Sequence, residues 1–85
     1  MYTIAYEPSQ AQIIFRLPPQ FHDAFFKTID KLMLDPLRSS KALNGPWKGH
    51  RCVRYGARRI IFRLDQKLQI VIICKEDARG SVYKR

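Results

Sequence analysis

The sequence predicts an α+β fold, with an N-terminal strand and a helical hairpin packed on a twisted, mainly antiparallel sheet of four strands. Three observations lead there. A short alternating run opens the chain, two helical patterns punctuated by prolines fill the rest of the first half, and three β-prone runs separated by turn residues fill the second.

Tyr2-Thr3-Ile4-Ala5-Tyr6 alternates aromatic or aliphatic side chains with smaller ones and stops at Glu7-Pro8, so it reads as a short strand belonging to the sheet. From Pro8 the spacing changes: Ala11, Ile14 and Leu17 recur every third residue, and Pro8 or Ser9 suits a helix start. A short helix is expected over Ser9 to Arg16, ended by Pro18-Pro19. Pro19 then falls in the first turn of a second helix, where its missing amide hydrogen costs nothing, and Phe21, Phe25, Ile29, Leu32 and Met33 trace one apolar stripe. This helix should run to about Leu34, stop before Asp35-Pro36, and lie with the first as a hairpin over one sheet face. Leu37 to Gly49, rich in Ser, Lys, Gly and Pro, is expected to be a loop.

The second half reads as a β-meander. Strands are expected over His50 to Tyr55, Arg59 to Leu64 and Leu68 to Cys74, with turns at Gly56-Ala57 and Asp65-Gln66-Lys67. The tail from Lys75 to Arg85 has only Val82-Tyr83 as an apolar pair and reads as extended chain or one helical turn. No repeat, low-complexity tract or boundary interrupts the 85 residues, so residues 1–85 are read as one domain.

At 46 % hydrophobic and 12 % aromatic the chain can build a core, which argues against disorder. Its charge points to a polyanionic partner: 16 Lys and Arg against 7 Asp and Glu give +9, with a pI near 10.1. The excess is lopsided. Met1 to Ala42 holds five basic residues (Arg16, Lys27, Lys31, Arg38, Lys41) against four acidic ones, whereas Leu43 to Arg85 holds eleven against three. The first half is therefore read as packing and the second as binding. Cys52 and Cys74 sit in apolar or strand-like runs with neither a CxxC nor a zinc-like His spacing, so thiols are expected, with no metal and no cofactor. No signal-peptide pattern or apolar span of about 20 residues is seen, so the cytoplasm is the expected location and no membrane partner is expected.

Strand parity decides which basic residues can meet. Lys48, His50, Cys52 and Arg54 share one parity; Arg51, Val53 and Tyr55 share the other, and the more apolar set should face the helices. Arg54 would then point away from the helices, and Arg59 would stand near it, on an uncovered face, if the hairpin closes around Gly56. Two converging guanidiniums can hold a phosphate bidentately and stabilise charge developing on it. A solvated basic face without chemistry is the competing reading of the same residues. In the tail, Arg79 can ground a phosphate, and Tyr83 can stack on a base or pass a proton, although a C-terminal Tyr also commonly caps a core edge. His50 is read as structural or as an acid–base group.

As a set these residues resemble the RelE/ParE superfamily of small bacterial toxins. The run Leu43-Asn44-Gly45, then Gly49-His50-Arg51-Cys52-Val53-Arg54-Tyr55-Gly56-Ala57-Arg58-Arg59-Ile60-Ile61-Phe62, is similar to its "L-x-G … G-x-x-R-x-R-x-G-x-x-R-x-x-Y" signature. The Leu17-Pro18 helix break, the ending Leu32…Asp35-Pro36 and Arg79…Val82-Tyr83 fit the same pattern. The resemblance implies a RelE-like fold and a type II toxin restrained by a co-encoded antitoxin, whose acidic or amphipathic segment masks the basic face and through which the complex binds operator DNA. In the RelE branch it implies messenger RNA cleavage on the ribosome, without a metal, by attack of the 2′-hydroxyl on the adjacent phosphate. By position, Arg54 matches a basic residue of the active-site strand, Arg59 the arginine that stabilises the transition-state phosphate, and Tyr83 a C-terminal tyrosine that orients or stacks on RNA. Arg79 is added as a tail catalytic residue, and Lys48, His50, Arg51, Arg58 and Lys84 as the surrounding RNA-binding set. Two positions depart from the pattern: Cys52 stands where Lys or Arg is frequent, and Asp77 where some members carry Arg. They keep open a ParE-like DNA gyrase inhibitor and a catalytically decayed antitoxin- or nucleic-acid-binding module.

Overall fold

The computed structural model describes residues 1–78. The elements are β1 (Thr3–Tyr6), α1 (Gln10–Phe15), α2 (His22–Leu34), β2 (Lys41–Ala42), β3 (Arg51–Tyr55), β4 (Arg58–Asp65) and β5 (Ile70–Ala78), with 3-10 turns at Pro19–Phe21 and Gly45–Trp47. The strands form one sheet in the order β1-β5-β4-β3-β2. Among the described residues only β1 with β5 is parallel; the other pairings are antiparallel. The α+β architecture is as the sequence predicts, with one correction: the sheet has five strands, not four. The additional strand, β2, lies inside the expected loop. Lys41-Ala42 carries no β-branched signal of its own and is strand because it pairs with Arg51 and Cys52. The Arg51 side chain secures it, donating from Nε to Ser40 Oγ (2.7 Å) and from Nη2 to the Ser40 carbonyl (3.0 Å).

Helix boundaries follow local chemistry. Ser9 caps α1, its hydroxyl accepting from the Gln12 amide at 3.2 Å. Pro18 and the following 3-10 turn separate the helices, and α2 ends at Asp35, ahead of Pro36. Phe25, Ile29 and Leu32 of the expected stripe are buried, with Phe21 and Met33 packed at its margin. Thr28, absent from the apolar pattern, is buried with them because its hydroxyl donates to the Ala24 carbonyl at 2.8 Å. Opposite the helices, Val53, Tyr55, Ile60, Phe62, Val71 and Ile73 complete the core. Burying each large apolar side chain there contributes about 1.5–3 kcal/mol.

β5 runs four residues beyond the expected end at Cys74, through Lys75-Glu76-Asp77-Ala78. Its register against β4 shifts between Phe62↔Ile73 and Ile61↔Lys75, so Cys74 is the extra residue of a bulge. The bulge resets strand parity. Glu76 therefore turns to the helix side, where Arg58 donates to it from Nε (2.6 Å) and Nη2 (2.9 Å) and the Tyr55 hydroxyl donates at 2.5 Å. The Glu76 side chain is 1 % exposed, and the Arg58 guanidinium also lies over the Phe21 ring, 4.9 Å from its centroid. Burial, then the adjacent Glu76 carboxylate, pushes the Tyr55 phenol far above its ordinary value, so Tyr55 acts as a donor throughout the neutral range.

This clamp predicts an order of stabilities in urea denaturation. Glu76→Leu leaves the Arg58 charge uncompensated in the core margin and should cost about 3–5 kcal/mol. Tyr55→Phe removes one donor from a carboxylate still held twice by Arg58, and should cost about 1–2 kcal/mol. Equal losses would show that the clamp does not depend on the carboxylate.

Candidate nucleic-acid interface

The β3–β4 hairpin closes in two residues, with Gly56 at φ +59° in the first position, a conformation that a side chain disfavours and that matches the twist of a tight hairpin. Closure there sets Arg54 directly across from Arg59, and Arg59 directly across from Asp77 on β5. A row Arg54–Arg59–Asp77 thus crosses three strands on the face away from the helices. The next row along the strands is Lys41–Cys52–Ile61–Lys75. Directly opposed residues in a ladder lie about 5 Å apart at Cβ, so Arg54, Arg59 and Asp77 are cross-strand neighbours, and the Asp77 carboxylate meets Lys75 Nζ at 3.8 Å.

The face is not uncovered along its whole length, which corrects the expectation for Arg59. Leu43, Cys52 and Ile61 form a second small buried cluster there, roofed by Trp47 from the Gly45–Trp47 turn. Arg59 is 1 % exposed, whereas Arg54 is exposed. The outer arginine therefore presents its charge to solvent, while the inner one is enclosed.

The structure sorts the other expected residues by face. Arg51 and Arg58 share the helix side with Val53 and Tyr55, the first tied to Ser40 and the second to Glu76, so neither joins Arg54. His50 precedes β3, at the far end of that strand from Arg54, and its half-buried ring meets the Trp47 ring edge-on at 5.2 Å between centroids. Lys48 is exposed just after the Trp47 turn. Arg79, Tyr83 and Lys84 lie outside the described residues. Cys52 is a buried thiol and Cys74 a half-buried one. Among the described residues no group of three His, Cys, Asp or Glu side chains is arranged to hold a metal ion, and no helix is long and apolar enough to cross a membrane.

Sequence reasoning missed the polar neighbours of Arg54. Arg38, Ser39, Ser40 and Lys41 line, with Cys52 and Arg54, a cleft of about 370 Å³ at the β2 edge. The signal was the compact Arg38-Ser39-Ser40-Lys41 run of cations and hydroxyls, which composition alone assigns to a solvated loop.

No family model matches the chain. It is 28 % identical to Toxin RelG of Mycobacterium tuberculosis, over 99 % of this chain and 98 % of that protein. In structure it resembles a chain of the toxin–antitoxin complex RelBE2 from Mycobacterium tuberculosis, with a TM-score of 0.81 and 28 % identity over 92 % of this chain and 98 % of that one. The archaeal RelE–RelB complex from Pyrococcus horikoshii gives 0.74 at 22 % identity over 94 % and 97 % of the two chains. The isolated RelE toxin of Escherichia coli gives 0.73 at 13 % identity over 98 % and 92 %. The five-stranded sheet under two helices is thus a RelE-like fold. Over nearly its full length, in sequence and in fold, the chain is similar to RelE toxins of type II toxin–antitoxin systems.

The contrast in burial predicts different folding costs for the two arginines. Arg59→Ala should lower stability by about 1–3 kcal/mol, as loss of a large buried side chain does, while Arg54→Ala should leave the urea midpoint unchanged. A midpoint shift for Arg54→Ala as large as that for Arg59→Ala would refute the assignment of outer and inner positions.

Proposed function

We propose that the chain is a toxin that cleaves messenger RNA on the ribosome, with Arg54 and Arg59 at the scissile phosphate. The observation that carries this reading is the cross-strand pairing Arg54↔Arg59, one exposed and one buried, beside a cleft lined by further cations and hydroxyls. In the proposed reaction the ribose 2′-oxygen forms a bond to the adjacent phosphorus while the bond from phosphorus to the 5′-oxygen breaks. The products are a 2′,3′-cyclic phosphate and a 5′-hydroxyl; the proton lost by the 2′-hydroxyl is balanced by one gained at the leaving oxygen.

The arginines suit this step for a physical reason. Negative charge grows on the non-bridging oxygens as the fifth bond to phosphorus forms, and a guanidinium presents two parallel donors to such oxygens. A buried guanidinium that does not reorganise stabilises that charge more than a solvated one, so Arg59 is assigned the transition-state contact and Arg54 the capture of the incoming phosphate. Tyr83 and Arg79, outside the described residues, are proposed to orient the RNA and complete the phosphate contacts. Lys48 and His50 are proposed to border the RNA path. Arg51 and Arg58 enter the proposal only as supports, since their guanidiniums hold β2 and β5 in place.

A cognate antitoxin is the proposed protein partner, because similar chains are found in RelB complexes and a basic face of this kind is masked efficiently by an acidic segment. The complex is proposed to reach operator DNA through that antitoxin.

The test is primer-extension mapping of cleavage on programmed ribosomes with the purified protein. Site-specific cuts should appear with the wild type, and Arg59→Lys, which keeps the charge but not the planar fork, should cut about 10²- to 10³-fold more slowly. Absence of cuts from folded wild-type protein, together with inhibition of DNA supercoiling by gyrase, would replace this reading by the gyrase-inhibitor one.

A further inference from the structure

The sequence reading gave the first half of the chain a packing role because its net charge is small, but the fold gathers most of its cations at one place. Four of the five basic residues before Leu43 flank Arg54. Arg38 and Lys41 line the cleft at the β2 edge already described. On the other side of Arg54 lies a second cleft, of about 530 Å³, between α2 and β3, lined by Ala24, Lys27, Thr28, Lys31, Ser39, Val53, Arg54, Tyr55 and Gly56. Arg54 and Ser39 belong to both, so the two clefts are continuous.

Two features keep this channel open and cationic. Among the described residues, β2 pairs only with Arg51 and Cys52, so β3 becomes the sheet edge from Val53 onward and no other strand covers it there. Lys27 and Lys31 are one helical turn apart, both exposed, on the rim of the stripe formed by Phe25, Thr28 and Leu32. Among the described residues, no carboxylate forms an ion pair with Lys27, Lys31, Arg38, Lys41 or Arg54.

We propose that this α2–β3 channel binds the phosphate backbone of single-stranded RNA running away from the Arg54–Arg59 site, with Lys27 and Lys31 each neutralising a phosphate. The proposal rests on the nuclease reading for the direction of the strand, and it assigns to α2 a binding role that no catalytic motif covers. RNA is favoured over an acidic peptide because the large apolar groups lining the channel, Val53 and Tyr55, are buried in the core, while its rim offers Lys27, Lys31, Arg54 and the Ser39 hydroxyl. A sugar–phosphate backbone needs only charge and hydrogen-bond partners, which this rim supplies.

The test uses the full chain and a fluorescent 2′-O-methyl oligoribonucleotide, which cannot be cleaved, titrated at several salt concentrations. The double variant Lys27→Gln with Lys31→Gln keeps helix propensity nearly constant, and circular dichroism checks the fold. A charge-matched control, Arg16→Gln with Lys67→Gln, removes the same two charges from the end of α1 and the β4–β5 turn. The channel variant should bind roughly three- to tenfold more weakly, and the slope of log affinity against log salt should fall by about 1.4, two single-strand phosphate contacts at roughly 0.7 each. The control should change neither beyond what net charge produces at long range. Unchanged affinity and slope in the channel variant, an equal loss in the control, or no wild-type binding would each overturn the proposal. So would a polyglutamate peptide that binds through Lys27 and Lys31 where the oligoribonucleotide does not.

The two readings fail separately. Ribosomal cleavage by a wild type whose RNA affinity is indifferent to Lys27 and Lys31 would leave the nuclease and remove the channel. Lys27- and Lys31-dependent RNA binding by a protein that cuts nothing would do the reverse.

Discussion

The Glu76 carboxylate, buried and held by Arg58 and Tyr55, is the contact on which the rest of this architecture depends. A buried carboxylate without such partners would cost several kcal/mol, so its position in the strand is not negotiable. Fixing it on the helix side requires the bulge at Cys74, and the bulge in turn sends Lys75 and Asp77 to the other face, opposite Ile61 and Arg59. The pairing of Arg59 with an acidic neighbour, and hence the row on which the proposed chemistry is built, is a consequence of an interaction on the reverse side of the sheet.

The basic residues divide accordingly into those consumed by structure and those left for a ligand. Arg51 holds the segment before β2, Arg58 holds β5, and Arg63 meets Glu7 at the surface across two partly exposed side chains. Surface pairs of the last kind contribute little to stability. Arg54 remains exposed on the face away from the helices, across the ladder from the buried Arg59, and the cations of α2 and the β2 edge gather around it. The positive charge read from composition is therefore larger than the charge available for binding, and differently placed.

The similarity to RelE toxins accords with this arrangement and sharpens the meaning of its departures. Cys52 belongs to the small cluster with Leu43, Ile61 and Trp47, so a thiol there serves packing where a cation would have to remain solvated. Asp77 likewise has a local reason, standing across the ladder from a buried arginine. Neither substitution removes the paired guanidiniums that the proposed phosphate chemistry requires.

The sequence alone determined the order of elements, the two helices with their proline boundaries, the turn at Gly56 and the parity that sets Arg54 apart from Arg51. These follow from periodicity and from backbone restrictions at Pro and Gly, which act over a few residues. The facing of Arg54 and Arg59 was legible too, conditional on the hairpin closing where Gly56 allows. Only the tertiary structure decided that Lys41-Ala42 is a strand, that β5 continues through Lys75-Glu76-Asp77, that Trp47 roofs a second cluster, and that Lys27 and Lys31 stand beside Arg54. Each of these depends on a partner distant in sequence: a ladder supplied by another strand, a bulge that shifts parity, or a helix laid across an edge. Local patterns carry no record of such partners, because the energy that selects them exists only once the chain has folded.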